Sequence, residues 1–220
     1  MISRVIRLRA ANVLISKRFN SSSTTRSTRR TFTKSTIASQ SSAAVSYELD
    51  DEPELFASYS AASDVENANK LYANQIQITE TSDRGYGVHA LKPFAPGEMV
   101  LKANALATIP RDTHTLQKDW DTHIMVDVPA RLLNHSCDAN VGLTDNEEGG
   151  YDFIALRTIE TGEELVWDYE TTEWEIRGFE KCICGAHNCR GSIGGFKKHG
   201  VQVEAQYGEY IANYLKDTSK

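Results

Sequence analysis

The sequence predicts a mostly β fold with minor α, assembled from small sheets, and three observations carry that prediction. Short β-type runs alternate with turn signals from about residue 75 to residue 169. No helix-period stretch of ten or more residues separates them, which disfavours a doubly wound α/β sheet. Helical periodicity is confined to the tail, where Val203, Tyr207, Tyr210, Ile211, Tyr214 and Leu215 share one face. In chain order the strand text is QIQIT at 75–79, GEMVLKANALATI at 97–109, HIMVDV at 123–128, YDFIALRTI at 151–159 and EELVWDY at 163–169. Pro96-Gly97, the cluster from Asp145 to Gly150 and Thr161-Gly162 mark turns between these runs. The tail reads as a C-terminal helix over 198–220 packed on the body, with Gly208 as its weak point.

At 220 residues, 40% hydrophobic and 25% charged, the chain has the composition of a globular protein with one dominant core. No apolar run approaches the roughly 18 residues that a membrane-spanning helix needs, so no membrane role is expected. The formal net charge of −6 hides an asymmetry: residues 1–47 hold nine Lys/Arg and no acid. Taking those nine from 24 leaves 15 basic against 30 acidic side chains over residues 48–220, a net of −15. Such a body repels a phosphate backbone, so direct nucleic-acid binding is not expected, and it favours partners that present basic segments.

Residues 1–45 combine scattered Arg, abundant Ser/Thr and no acid, the composition of an organellar transit peptide. A mitochondrial or plastid address follows as an expectation. The competing reading takes Arg26, Arg29, Arg30 and Lys34 as a disordered nuclear-import tail. Residues 46–74 then read as an acidic linker with one short helix, and order is expected from about Ile76.

Three of the four cysteines fall within eight residues, as Cys182-Ile-Cys184-Gly-Ala-His-Asn-Cys189. Thiolates at that spacing converge on one ion, and the adjoining glycines permit the sharp turns that convergence demands. Zinc is the natural ion, and its tetrahedral preference asks for a fourth ligand, either His187 or the remote Cys137. Around Cys137 the chain reads Arg131-Leu-Leu-Asn134-His135-Ser136-Cys137-Asp-Ala-Asn140. His135 beside Ser136 does not make a hydrolase, because no G-x-S-x-G elbow surrounds the serine.

Four motifs in order resemble the SET-domain protein lysine methyltransferases that carry a cysteine-rich post-SET segment. Arg84-Gly85-Tyr86-Gly87 is similar to the family's G-x-G, and 131–140 to its R-x-x-N-H-S-C-x-x-N. Glu163 to Tyr169 resembles its strand ending in D-Y, and Cys182-x-Cys184-x4-Cys189-Arg190-Gly191 its post-SET zinc segment. The likeness covers roughly Ile76 to Phe196 and implies a SET-type β-clip domain over 75–172 with a knot-like active site, a zinc-bound post-SET segment over 173–197, and the C-terminal helix after it.

By position the resemblance implies S-adenosylmethionine as cofactor, met by the backbone of Gly85, Tyr86 and Gly87 and held by Asn134 and His135. Tyr169 is implied as the catalytic residue, touching the cofactor as well, and Trp167 as a wall of the lysine channel where relatives carry Phe or Tyr. Cys137, Cys182, Cys184 and Cys189 are implied to share one structural zinc, which leaves His187 outside the site. The implied activity is transfer of methyl groups to a lysine side chain of a protein substrate; the alternative is a catalytically weak SET module that serves as a peptide-binding or interaction domain. A charged ammonium cannot attack a sulfonium methyl, so the site must favour the neutral amine. Two departures stand out: Leu101-Lys102-Ala103-Asn104-Ala105 holds no tyrosine where many relatives place an active-site aromatic, and the stretch from there to Asn134 is short.

Overall fold

The computed structural model describes residues 62–82, 84–112, 114–178 and 181–216. The expected leader over 1–45, and the linker as far as residue 61, lie outside the described residues. Three helices and ten strands follow in order: α1 (Ala62–Leu71), β1 (Ile76–Glu80), β2 (Tyr86–Ala90), β3 (Met99–Ala103), β4 (Ala105–Ile109), β5 (Leu116–Gln117), β6 (His123–Val126), β7 (Asn134–His135), β8 (Val141–Asp145), β9 (Tyr151–Ala155), β10 (Val166–Trp167), α2 (Phe196–Tyr207) and α3 (Asn213–Lys216). The strands form four small sheets ordered β1-β2, β10-β7, β3-β9-β8 and β4-β6-β5. The mostly β expectation therefore holds, and among the described residues no helix is long and apolar enough to cross a membrane.

Period-2 patterning explains the strands. Tyr151, Phe153 and Ala155 of β9 face the core while Asp152 and Ile154 are half-exposed, and β8 pairs antiparallel with β9 from Val141↔Ala155 to Asp145↔Tyr151. The turn between them closes with Asn146 N donating to Gly150 O, and Gly149 takes a φ of +77°. A Cβ on Gly150 would stand 2.0 Å from Ala103 O, so glycine is what lets this hairpin lie against the end of β3.

The single run 97–109 becomes two strands in two different sheets. Asp127 is the cause: its carboxylate accepts Asn104 N at 3.0 Å and Asn104 Nδ2 at 2.8 Å. Asn104 thus satisfies its N–H on a side chain instead of a ladder partner, and the chain passes from β9's sheet to β6's. The tail differs too. The expected helix over 198–220 is divided among the described residues, because α2 ends at Tyr207, capped by Gly208 with φ +56°, and α3 starts at Asn213. Four of the six stripe residues are nonetheless buried, Val203, Tyr207, Ile211 and Leu215 at 5% exposed or less, while Tyr210 and Tyr214 are half-buried. Burial of such side chains contributes about 1.5–3 kcal/mol each, so the tail is part of the core.

Candidate active site

The site forms where two segments cross. β10 pairs in parallel with β7, Val166 opposite Asn134 and Trp167 opposite His135. Ser136 N donates to Trp167 O at 3.0 Å, and Asn140 N donates to Val166 O at 3.1 Å. The Asn140 side chain closes the clasp, accepting Val166 N at 2.9 Å and donating to Glu164 O at 2.8 Å. The strand leading to Tyr169 is thereby gripped from 134–136 and from 140, the knot-like crossing expected from the resemblance. No local sequence preference makes two-residue strands like these; they exist only as a pair.

Glu164 is a hub that sequence reasoning passed over. Its Oε1 accepts Asn134 Nδ2 at 2.8 Å and its Oε2 pairs with Arg84 at 3.0 Å, while Asn134 Nδ2 also donates to Tyr86 O at 2.9 Å. The G-x-G acquires its physical reason here. Gly85 has φ +78°, and a Cβ on Gly87 would stand 2.9 Å from Glu164 Oε1. The only sequence signal for Glu164 was its place beside the D-Y strand.

Two cavities meet at Tyr169. The first, about 530 Å³, is lined by Gly85, Tyr86, Asn134, His135 and Tyr169 on the domain side and by Lys181 to Cys184 on the cysteine segment. Gly87 is buried and is absent from its wall. The second, about 450 Å³, holds Trp167 and Tyr169 together with Leu116, Glu173 and Ile176. Asp112, His114, Thr115, Arg131 and Leu133 line both, and so does Tyr169. Its hydroxyl donates to Leu133 O at 3.1 Å, and burial pushes its pKa up to about 12, so it works as a neutral donor. Trp167 is 5% exposed, edge-on to Phe153 at 5.7 Å and tilted against Tyr169 at 4.9 Å.

Burial, more than any neighbouring charge, depresses the His135 pKa, so the ring is neutral near pH 7. Its Nδ1 accepts Tyr169 N at 3.3 Å, which assigns the ring proton to Nε2, 3.5 Å from Cys137 Sγ. Beneath it lies a buried ionic network. Arg190 forks onto Asp168 at 2.7 and 2.8 Å and reaches Glu170 at 2.8 Å. Glu170, with no exposed surface, also accepts Gly194 N and Gly195 N and meets His199 Nδ1 at 2.8 Å. Asp168 and Glu170 flank Tyr169, Arg190 follows Cys189, and His199 lies on α2. The network therefore ties the D-Y segment to the cysteine segment and to the tail; Asp168 and Arg190 stand in motif text, whereas Glu170 and His199 do not.

Cys137, Cys182, Cys184 and Cys189 converge, their sulfurs all within 4.8 Å of one another, and Cys137 and Cys182 stand 3.8 Å apart. Sulfurs bound at 2.3 Å to one tetrahedral zinc lie about 3.8 Å apart, so the donor set and its dimensions fit that ion. Burial pushes the Cys137 thiol well above its usual range, a cost that a bound dication reverses by taking thiolates. His187 is exposed and outside the group. The Cys137 carbonyl is held as well: Tyr207 Oη donates to it at 2.9 Å and Gln206 Nε2 at 2.8 Å.

The first cavity suits a polar cofactor of nucleoside size: its volume falls in the range of roughly 300–1,000 Å³ usual for such sites, and it combines a glycine-opened backbone with Asn134 and His135. The second brings an indole and a phenol together with two carboxyl groups, Asp112 and Glu173, in a space of about 450 Å³, ample for a long side chain.

Comparison with known proteins fits this geometry. Residues 85–170 match the family model described as SET domain. The chain is 30% identical over 135 residues to histone-lysine N-methyltransferase ash1 of Drosophila melanogaster, and 29% identical over 140 residues to histone-lysine N-methyltransferase Set2 of the same organism. These alignments cover 52% and 54% of this chain, and the chain spans only 6% of the length of either relative. Among solved structures, Arabidopsis thaliana SUVH6 in complex with SAM aligns with a TM-score of 0.45 at 20% identity, over 54% of this chain and 33% of that one.

Proposed function

We propose, from the premise that residues 85–170 of this chain are a SET domain, that it is an S-adenosylmethionine-dependent protein lysine N-methyltransferase with one structural zinc. The observation that carries the reading is the meeting of two cavities at Tyr169, one of cofactor size lined by Gly85 and Tyr86, the other lined by Trp167. When bound, the cofactor supplies a methyl group carried on a sulfonium. The chain's own residues do the rest by positioning, which can account for about 7–11 kcal/mol of a barrier.

Asn134 and His135 hold the cofactor's polar ends from β7, and Tyr86 presents backbone to it. Asn134 is fixed for that task by Glu164, and His135 by the Tyr169 amide. The neutral Tyr169 phenol, anchored on Leu133 O, orients the amine at the junction of the cavities. Trp167 walls the lysine side and excludes water. Cys137, Cys182, Cys184 and Cys189 hold the zinc, which closes the post-SET segment over the first cavity. The relatives' names specify histone lysine; for this chain we propose a protein lysine in a basic segment, matching the acidic body. The basic leader supports an organellar address, with a nuclear one as the alternative.

The test incubates the full chain with methyl-labelled S-adenosylmethionine and two pools, histones and total organellar protein, beside Tyr169→Phe. Label on a discrete protein that disappears in the variant is expected. Cofactor binding without label in either pool would instead support an interaction module.

A further inference from the structure

Methyl transfer, if it is the reaction, needs the lysine nitrogen stripped of one proton, and nothing in the roles above receives it. Tyr169 is a poor acceptor because its phenol is already protonated throughout the physiological range. Among the other groups lining the second cavity, Asp112, His114 and Glu173 can take a proton, and Asp112 and His114 line the first cavity as well. Glu173, four residues beyond Tyr169, shares the wall with Trp167 and Tyr169. Its Oε1 accepts Gln117 N at 2.6 Å, and Gln117 returns the contact by accepting Trp174 N at 3.0 Å. That reciprocal clamp fixes the carboxyl in place, yet a glutamine would serve the clamp equally well. A half-buried carboxylate in a cavity lined by Trp167, Leu116 and Ile176, and also by Arg111, Arg131 and Arg177, is an expensive choice unless its charge is used.

We propose that Glu173 is a further catalytic residue of the methyl-transfer site: it meets the substrate lysine as an ammonium, draws it into the second cavity and accepts its proton. The step moves one proton. An N–H bond breaks, an O–H bond forms on the carboxylate, and nitrogen keeps the electron pair that the methyl transfer requires. Glu173 then gives the proton to solvent through the open mouth of the cavity. Desolvation of Glu173 favours this direction, since it penalises the ammonium–carboxylate pair and spares the neutral carboxylic acid, and the arginines of the wall likewise favour a neutral amine over an ammonium.

The surroundings poise the group. Burial raises the Glu173 pKa to about 7, outweighing the Gln117 amide and Arg111, which pull it down. Tyr151 from β9 and Tyr214 from α3 also face it, both neutral because burial lifts them well above their usual range. The remaining charged or titratable groups on that wall are Arg111, Asp112, His114, Arg131 and Arg177. A carboxyl titrating near neutrality is half ready to accept and half ready to release, the condition under which a general base works best. The inference rests on the methyltransferase reading, and it adds a requirement: the residue entering this cavity must be cationic.

Glu173→Gln keeps the clamp and removes the base. The full chain, wild type and variant, would be assayed for labelled methyl transfer to the most strongly labelled protein of the pools between pH 6 and 9.5. Cofactor affinity would be read by calorimetry. The expected result is a wild-type rate that rises through about pH 7 and a variant with unchanged cofactor affinity whose kcat at pH 7.5 falls by about 100-fold, within the 10²–10⁴ typical of a lost general base. Independently of turnover, the side-chain carboxyl resonance that the variant lacks, in protein labelled with [δ-13C]glutamate, should titrate near pH 7. Equal kcat and equal pH profile in the variant, or a carboxyl that titrates in the ordinary range near 4, overturns the assignment of Glu173 while leaving the methyltransferase reading intact. If Glu173→Gln fails to bind cofactor, the resonance alone decides. A wild-type chain that binds cofactor and labels nothing at any pH removes the methyltransferase reading, and this assignment with it.

Discussion

Tyr207→Phe removes one oxygen from α2 and should loosen a site in a different part of the chain. The hydroxyl donates to Cys137 O at 2.9 Å and accepts Ala139 N at 3.3 Å and Gln206 Nε2 at 3.0 Å. Burial lifts its pKa well above the usual range, so it is always protonated and always able to donate. In the variant Cys137 O keeps Gln206, at 2.8 Å, whereas the Ala139 amide, on a residue 8% exposed, loses the tyrosine oxygen. One buried donor without a partner costs about 1–3 kcal/mol, and the lost donation to a carbonyl that retains another partner adds a few tenths. A total of about 2 kcal/mol lowers Tm by about 4–8 °C in a domain of this size. Residues 137–139 lie between β7 and β8 and run from the proposed zinc ligand Cys137 to the Asn140 clasp, so zinc should also pass faster to a competing chelator. Calorimetry of the zinc-loaded full chain, with chelator competition alongside, reads both effects. A Tm within 1 °C of wild type, with equal zinc retention, would show that the tail does not brace the site.

Three further outcomes are expected. With its pKa raised by burial from 4.5 to about 7, Glu173 binds a proton more tightly folded than unfolded. Its contribution to stability is therefore present at low pH and is lost as pH rises from the unfolded value through about 7, by about 3 kcal/mol at most. Urea unfolding at pH 5 and pH 8 should show Glu173→Gln gaining on wild type across that interval; a constant difference contradicts the assigned shift. The full chain should contain about one zinc, and Cys137→Ser should lose it about as readily as Cys184→Ser when metal content is measured after dialysis against chelator. Retention in Cys137→Ser would hand the fourth position to His187. Trp167→Phe removes a ring that packs on Phe153 and Tyr169 in the second cavity, and mass spectrometry of the product should register more methyl groups per lysine than wild type adds. An unchanged distribution would make the indole a packing residue only.

Much of the site was legible because its chemistry is spelled by adjacency. Asn134, His135 and Cys137 sit in one motif, and the compact spacing of Cys182, Cys184 and Cys189 gathers thiols able to share a metal before any fold is known. The stripe from Val203 to Leu215 likewise predicted which tail residues would be buried, since amphipathic spacing reports burial even where a glycine breaks the helix. The division of 97–109 was not legible, because the carboxylate that turns the chain at Asn104 comes from Asp127, on the far side of β6. Glu164, Glu170 and Glu173 read as solvated acids in a chain rich in them.

The sequence by itself determined the class of chemistry: the ligand atoms, the glycines that let backbone approach, the phenol, and the apolar periodicities that demand a core. Tertiary structure alone decided which acid does what. Glu170 becomes a buried anchor because Arg190 and His199 arrive from segments 20 and 29 residues away to meet it, and Glu173 becomes a cavity carboxyl because β5 folds over it. A charge acquires its meaning from the dielectric and the partners around it, and those are set by contacts between residues far apart in the chain, which spacing along the chain does not encode.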